Sequence, residues 1–142
     1  MSGNAHEEVV RQIIERAFNG GDLSAVDELL QPEAVDHQEA PGANFPTHLK
    51  QVISMLRTAF PDLHFEIQHL MSSGDVVAMN SVMTGTHLGP FRDLPPSGRQ
   101  IQVRHMHFVR VVDGRGDDLW HLWDMPGLLR QLAPARSAEP AA

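Results

Sequence analysis

The sequence predicts an α+β domain, with helices from the first part of the chain packed on one side of an antiparallel sheet. Three observations carry this. Up to Phe60 the apolar residues recur at helical spacing, whereas from Leu63 to Asp124 they tend to alternate with period two. Between two of the alternating runs lies Asp113-Gly114, a pair suited to a two-residue hairpin turn that needs positive φ at its centre. A chain of 142 residues fits one domain, residues 1–133, followed by a low-complexity tail, residues 134–142, expected to be disordered.

The first helix is expected over His6–Phe18, where Val9, Val10, Ile13, Ile14 and Ala17 form one apolar stripe. Asn19-Gly20-Gly21 stops it, and Asp22 caps a second helix, Leu23–Leu30. Pro32 begins a break. Ala34–His37 reads as a short strand or a bridge, and Gln38–Pro46 as a loop. Thr47 caps a third helix that runs to Phe60, with Leu49, Ile53 and Leu56 on its buried side. Leu63–Met71 and Val76–His87 are strands, Gly89–Arg99 a Gly/Pro-rich edge loop, and Gln100–Val112 and Arg115–Asp124 the last two strands. Met125–Leu132 closes the domain as a short helix. A strongly curved sheet covered by helices leaves an interior pocket, the usual place for a ligand.

A two-residue loop at Asp113-Gly114 sets Val112 opposite Arg115, His107 opposite Trp120, His105 opposite Leu122 and Val103 opposite Asp124. On this register Val103, His105, His107, Val109, Trp120, Leu122 and Asp124 share one face. Asp124 is then a diagonal neighbour of His105, at ~7–8 Å. A one-residue bulge near Gly116 would exchange the faces of the second strand.

Composition removes several classes. The chain has no cysteine, hence no disulfide and no thiolate nucleophile or ligand. No apolar run approaches the ~20 residues that span a bilayer, and the polar start MSGNAHEEVV has no secretory pattern, so a cytoplasmic protein is expected. A net charge of −7 argues against nucleic acid or an anionic membrane as partner.

Several segments together resemble the SnoaL-like polyketide cyclases. They are Ala17–Leu23 (AFNGGDL), Val35-Asp36-His37, Ala59–Leu63 (AFPDL), Thr84–His87 (TGTH), Leu94–Arg99 (LPPSGR) and Trp123–Leu132 (WDMPGLLRQL). The resemblance implies a cone-like α+β fold shared with nuclear transport factor two and ketosteroid isomerase. It also implies a deep pocket and a homodimer or homotetramer. It further implies cofactor-independent closure of a polyketide ring by intramolecular aldol condensation on a hydrophobic substrate. Asp124 resembles the acid/base aspartate of the last strand, and His107 the histidine often found on the strand before it. Relatives that hydroxylate, dehydrate or isomerise are an alternative, as is a non-catalytic binding or self-resistance protein.

The residues themselves support two roles for Asp124. A carboxylate in an apolar pocket beside Trp120 and Leu122 would serve as general base. The same residue also sits where the N-cap of the last helix belongs, with Pro126 near the first turn. His105 and His107 are suited to orienting a carbonyl, or to bonding backbone as core histidines. His-x-His with a carboxylate also suggests an iron or zinc site, a reading the metal-free family argues against. His37 is expected near the pocket mouth, with Phe18 and Trp120 stacking on a flat substrate. Met83, Met106 and Phe108 are among the apolar residues on strand faces, and some are available to a dimer interface.

Overall fold

A computed structural model describes residues 3–40 and 42–133; the expected disordered tail, residues 134–142, lies outside them. The chain runs α1 (Gly3–Gln12), a π-helix (Ile13–Asn19), α2 (Ser24–Leu29), β1 (Leu30–Asp36), α3 (Phe45–Ala59), β2 (His64–Ser73), β3 (Val76–Thr86), β4 (Gln100–Val112), β5 (Arg115–Trp123) and α4 (Met125–Leu132). Among the described residues these strands form one five-stranded sheet in the order β1-β5-β4-β3-β2. The α+β expectation therefore holds. No helix among the described residues is long and apolar enough to cross a membrane.

The sheet holds one strand more than four long antiparallel runs supply. β1 pairs parallel with β5, Leu30 opposite Gly116 and Val35 opposite Asp118. Pro32 does not break the strand, because it lies on the sheet edge in the stretch where the pairing slips, where a missing N–H costs no ladder bond. The first helix is also not uniform. Its second half widens into the π-helix, whose end is pinned from two sides. Asn19 Nδ2 donates to the Phe65 carbonyl at 3.0 Å and the Phe65 N–H donates back to Asn19 Oδ1 at 2.7 Å. Arg57 Nη1 donates to the carbonyls of Phe18 and Asn19, both at 2.9 Å. The cap of α3 is Asn44, three residues earlier than Thr47: its side chain accepts the Thr47 N–H at 3.0 Å, and Pro46 occupies the first turn.

The helices cover the inner sheet face, where Val10, Ala17, Ile53, Val77, Met83 and Val103 are buried. The loop after β3 is a fixed part of the edge. The Gly98 N–H donates to the His87 carbonyl and the His87 N–H to the Arg99 carbonyl, both at 2.8 Å, His87 Nδ1 lies 2.9 Å from Ser97 Oγ, and Phe91 is buried against Phe60.

The Asn19 bridge joins the π-helix to β2 through two partly buried hydrogen bonds. Asn19→Ala is expected to lower stability by ~1–3 kcal/mol, read as a fall in the urea midpoint with an unchanged m-value.

Candidate functional site

The hairpin forms at Asp113-Gly114 with φ of 51° and 77°, as the turn chemistry requires, and Val112 pairs with Arg115. One step later the register departs from the simple one. Val111 pairs with Gly116 but Arg110 with Asp118, so Asp117 is an extra residue. From there on His107 faces His121, Phe108 faces Trp120, Met106 faces Leu122 and His105 faces Trp123. The bulge exchanges the faces of β5. Leu119, His121 and Trp123 look inward with His105 and His107, while Trp120 and Leu122 join Met106 and Phe108 on the outer face.

This corrects the expected shared face at three positions. Leu122 is 74% exposed. Trp120 lies outside with His37 stacked on it, ring centroids 4.6 Å apart and planes 5° from parallel, and with the Arg110 guanidinium 5.3 Å from its centroid. His37 itself is on the outer side, its Nε2 2.9 Å from Asp118 Oδ1. Asp124 follows β5 as an exposed residue and caps α4, accepting the Gly127 N–H on Oδ1 at 2.9 Å. Gly127 is needed there, since a Cβ would stand 2.1 Å from Asp124 Oδ2. The apolar surroundings expected around that carboxylate are not the ones it has.

The inner face gathers a different set. His105 and His107, two residues apart on β4, stack at 5.5 Å, and His107 stacks on His121 across the strand pair at 5.7 Å with planes 10° apart. His121 Nε2 lies 2.9 Å from Oδ2 of the buried Asp36, at the end of β1. The other carboxylate oxygen accepts the Gln38 N–H at 2.8 Å, and Gln38 Oε1 accepts the His121 N–H at 2.7 Å. A carboxylate accepts, so Nε2 of His121 is the donor toward Asp36, and in the neutral ring Nδ1 is the nitrogen left to accept. Asp36 and His121 thus form an oriented, hydrogen-bonded pair. Neither was singled out by the simple hairpin register; the signals available were the aspartate before His37 and the bulge at Gly116.

His105 and His107 are held neutral. Burial, then the neighbouring histidines, push His105 down to about 2. Burial, then His121, push His107 down to about 3. His105 Nε2 and His107 Nδ1 are buried with no hydrogen-bond partner among the described residues. The rings stack instead of converging, and no group of three or more His, Asp or Glu side chains among the described residues is arranged to hold a metal ion.

His107 also lines a cavity of about 50 Å³, walled by Ile13, Ile14, Phe18, Leu49 and Met79. Phe18 stands edge-on to Phe65 at 4.8 Å. The space is nearly all apolar and far smaller than the ~300–1,000 Å³ of typical ligand pockets. A guest of that size would enter this cavity only if side chains of its wall moved.

A curved sheet half-covered by helices, with an apolar hollow and an Asp-His pair beside it, places the chain in the α+β cone class. A family model described as SnoaL-like polyketide cyclase matches residues 8–132, and the chain belongs to that family. The nogalonic acid methyl ester cyclase of Streptomyces nogalater is 30% identical over 122 residues, 82% of this chain and 89% of that protein. IdmH from Streptomyces antibioticus superposes with a TM-score of 0.78 at 30% identity, covering 89% of this chain and 97% of that one. TsrD from Streptomyces laurentii, at 24% identity, shares the fold with a TM-score of 0.84 over 94% of this chain and 98% of its own.

The neutral histidines make stability depend on pH. Their folded pKa values lie below the ordinary 6.5, so the unfolded chain binds more protons in the window from 6.5 downward. Their contribution is complete above pH 6.5 and is lost as pH falls toward 3, at ~1.4 kcal/mol per pH unit for each group. Urea midpoints measured from pH 7.5 to 5 are expected to fall more steeply for the wild type than for His105→Gln/His107→Gln.

Proposed function

We propose that this chain closes a polyketide ring by a cofactor-independent intramolecular aldol reaction, with His121 as the acid/base group and Asp36 as the residue that orients it. The observation that supports this reading above others is the 2.9 Å Asp36–His121 pair, whose imidazole stacks on neutral His107, itself stacked on neutral His105, each of the two with an unpartnered nitrogen among the described residues. His121 Nδ1 takes a proton from the carbon between two carbonyls. The resulting enolate oxygen is stabilised by an N–H of His107, the neutral ring stacked on His121. The enolate carbon attacks a ketone carbonyl, a C–C bond forms, and the new alkoxide takes the proton back from His121. Atoms balance, no electron is gained or lost overall, and the base is regenerated.

The relatives' names make the methyl esters of nogalonic and aklanonic acid the compounds to assay. His121→Ala is expected to lower kcat by ~10²–10⁴, and Asp36→Asn by a smaller factor through loss of ring orientation. Asp124→Asn is the control for the rival acid/base group. As a cap it should keep kcat within a few-fold while costing at most ~1 kcal/mol of stability. Full activity of His121→Ala with loss of activity in Asp124→Asn would reverse the assignment. A non-catalytic binder would turn over neither ester.

The reading includes a homodimer built on the outer sheet face. Met71, Met106, Phe108 and Leu122 are all more than half exposed there, and Arg104 and Arg110 lie on the same face as Asp118, a mixture of signs that suits an isologous contact. Leu122→Glu with Met106→Glu is expected to halve the mass measured by sedimentation equilibrium.

A further inference from the structure

Ser81 sits at the middle of β3, on the inner face, where its pairing partners are Ile67 of β2 and His105 of β4. It is 1% exposed, and its Oγ has no hydrogen-bond partner among the described residues. On the next strand, His105 is 7% exposed and its Nε2 is equally unpartnered. Directly paired residues of neighbouring strands hold their Cβ atoms ~4.5–5.5 Å apart, so the two orphaned polar groups share one corner. Phe65 stands edge-on to the His105 ring at 5.0 Å and Trp123 is tilted against it at 4.9 Å. These neighbours supply no cation and no acceptor.

A buried hydroxyl without a partner is destabilising, and alanine would fill the same strand position without that penalty. The corner adjoins the cavity: Met79 and His107, which line it, are each two residues away on the same face as Ser81 and His105. Methionine has a flexible, unbranched side chain, suited to swinging aside.

We propose that Ser81, with His105 beside it, is a specificity-determining subsite that takes one uncharged oxygen of the substrate, a ketone carbonyl or a phenol, at the end of the site remote from His121. This deepens the acid/base reading given above and rests on it for the identity of the reacting end. Across β5, β4 and β3 the polar groups run in a row, His121, His107, His105 and Ser81, with successive ring centroids 5.7 and 5.5 Å apart. A molecule laid along that row must carry oxygen functions at intervals along one edge, as a polyketide does. A carboxylate is disfavoured at the Ser81 end, because nothing there offsets the loss of its hydration.

The test uses the two methyl esters and the ligand-free protein. Ser81→Ala is expected to raise KM about tenfold, the loss of roughly one buried hydrogen bond, while kcat stays within about threefold. It should also raise the melting temperature of the ligand-free protein by ~2–4 °C, because the unpartnered hydroxyl is gone. Ser81→Thr, which keeps the hydroxyl, should restore KM. An unchanged KM in Ser81→Ala, or a lower melting temperature, would overturn the proposal by showing that the hydroxyl serves the fold through a structural water. The inactive His121→Ala variant separates the two claims: binding of the esters to it, with and without Ser81→Ala, reports the subsite whether or not His121 is the base.

Discussion

One extra residue in β5 decides which side chains look into the hollow. Asp117 has no partner on β4, and every residue after it changes face relative to an unbroken ladder. Gly116 makes room for this. A Cβ there would stand 2.9 Å from Leu30 Cδ2 and 3.4 Å from Val109 Cγ1, so a larger residue would have to push the Leu30 side chain aside where β1 meets the strand. Bulges bend and twist the strand that carries them, which helps a five-stranded sheet wrap around its helices. Without the bulge His121 would lie with Met106 and Phe108, away from Asp36.

The same seam places two neighbouring residues on opposite sides of the sheet. Asp36 points inward to His121, and His37 outward to Asp118 and Trp120. Asp118 also accepts from Arg110 at 3.2 Å. The outer cluster and the inner pair therefore hold the end of β1 from both faces, with Gln38 tying the strand end to the His121 backbone. Fixing an imidazole by a carboxylate is useful only if the carboxylate itself cannot rotate, and Asp36 has a partner on each oxygen.

Much of this was legible in the chain. The helical stripes, the Asp113-Gly114 turn, the inward face of β4 and the last helix all follow from local pattern, because each is fixed by residues close in sequence. The face of β5 was not. Leu119, Trp120, Leu122 and Trp123 are apolar at both parities, so alternation carries no phase there, and the phase comes from Gly116 meeting Leu30, a contact between distant segments. For the same reason β1 read as a short strand or bridge: a parallel edge partner leaves no turn signal. Asp124 carried a pattern consistent with two roles, and the cap geometry with Gly127 is the one its contacts display.

The interior is built against stability. Two histidines are kept neutral far from their ordinary range, and Ser81 Oγ, His105 Nε2 and His107 Nδ1 have no partner among the described residues. Such groups weaken a ligand-free fold, and Ser81, His105 and His107 cluster on one face next to the oriented Asp36–His121 pair. The small size of the cavity fits with this. A guest that displaces Met79 and Phe18 from the wall would exchange apolar contacts for the hydrogen bonds that the protein alone leaves unmade, so binding and opening draw on the same set of side chains.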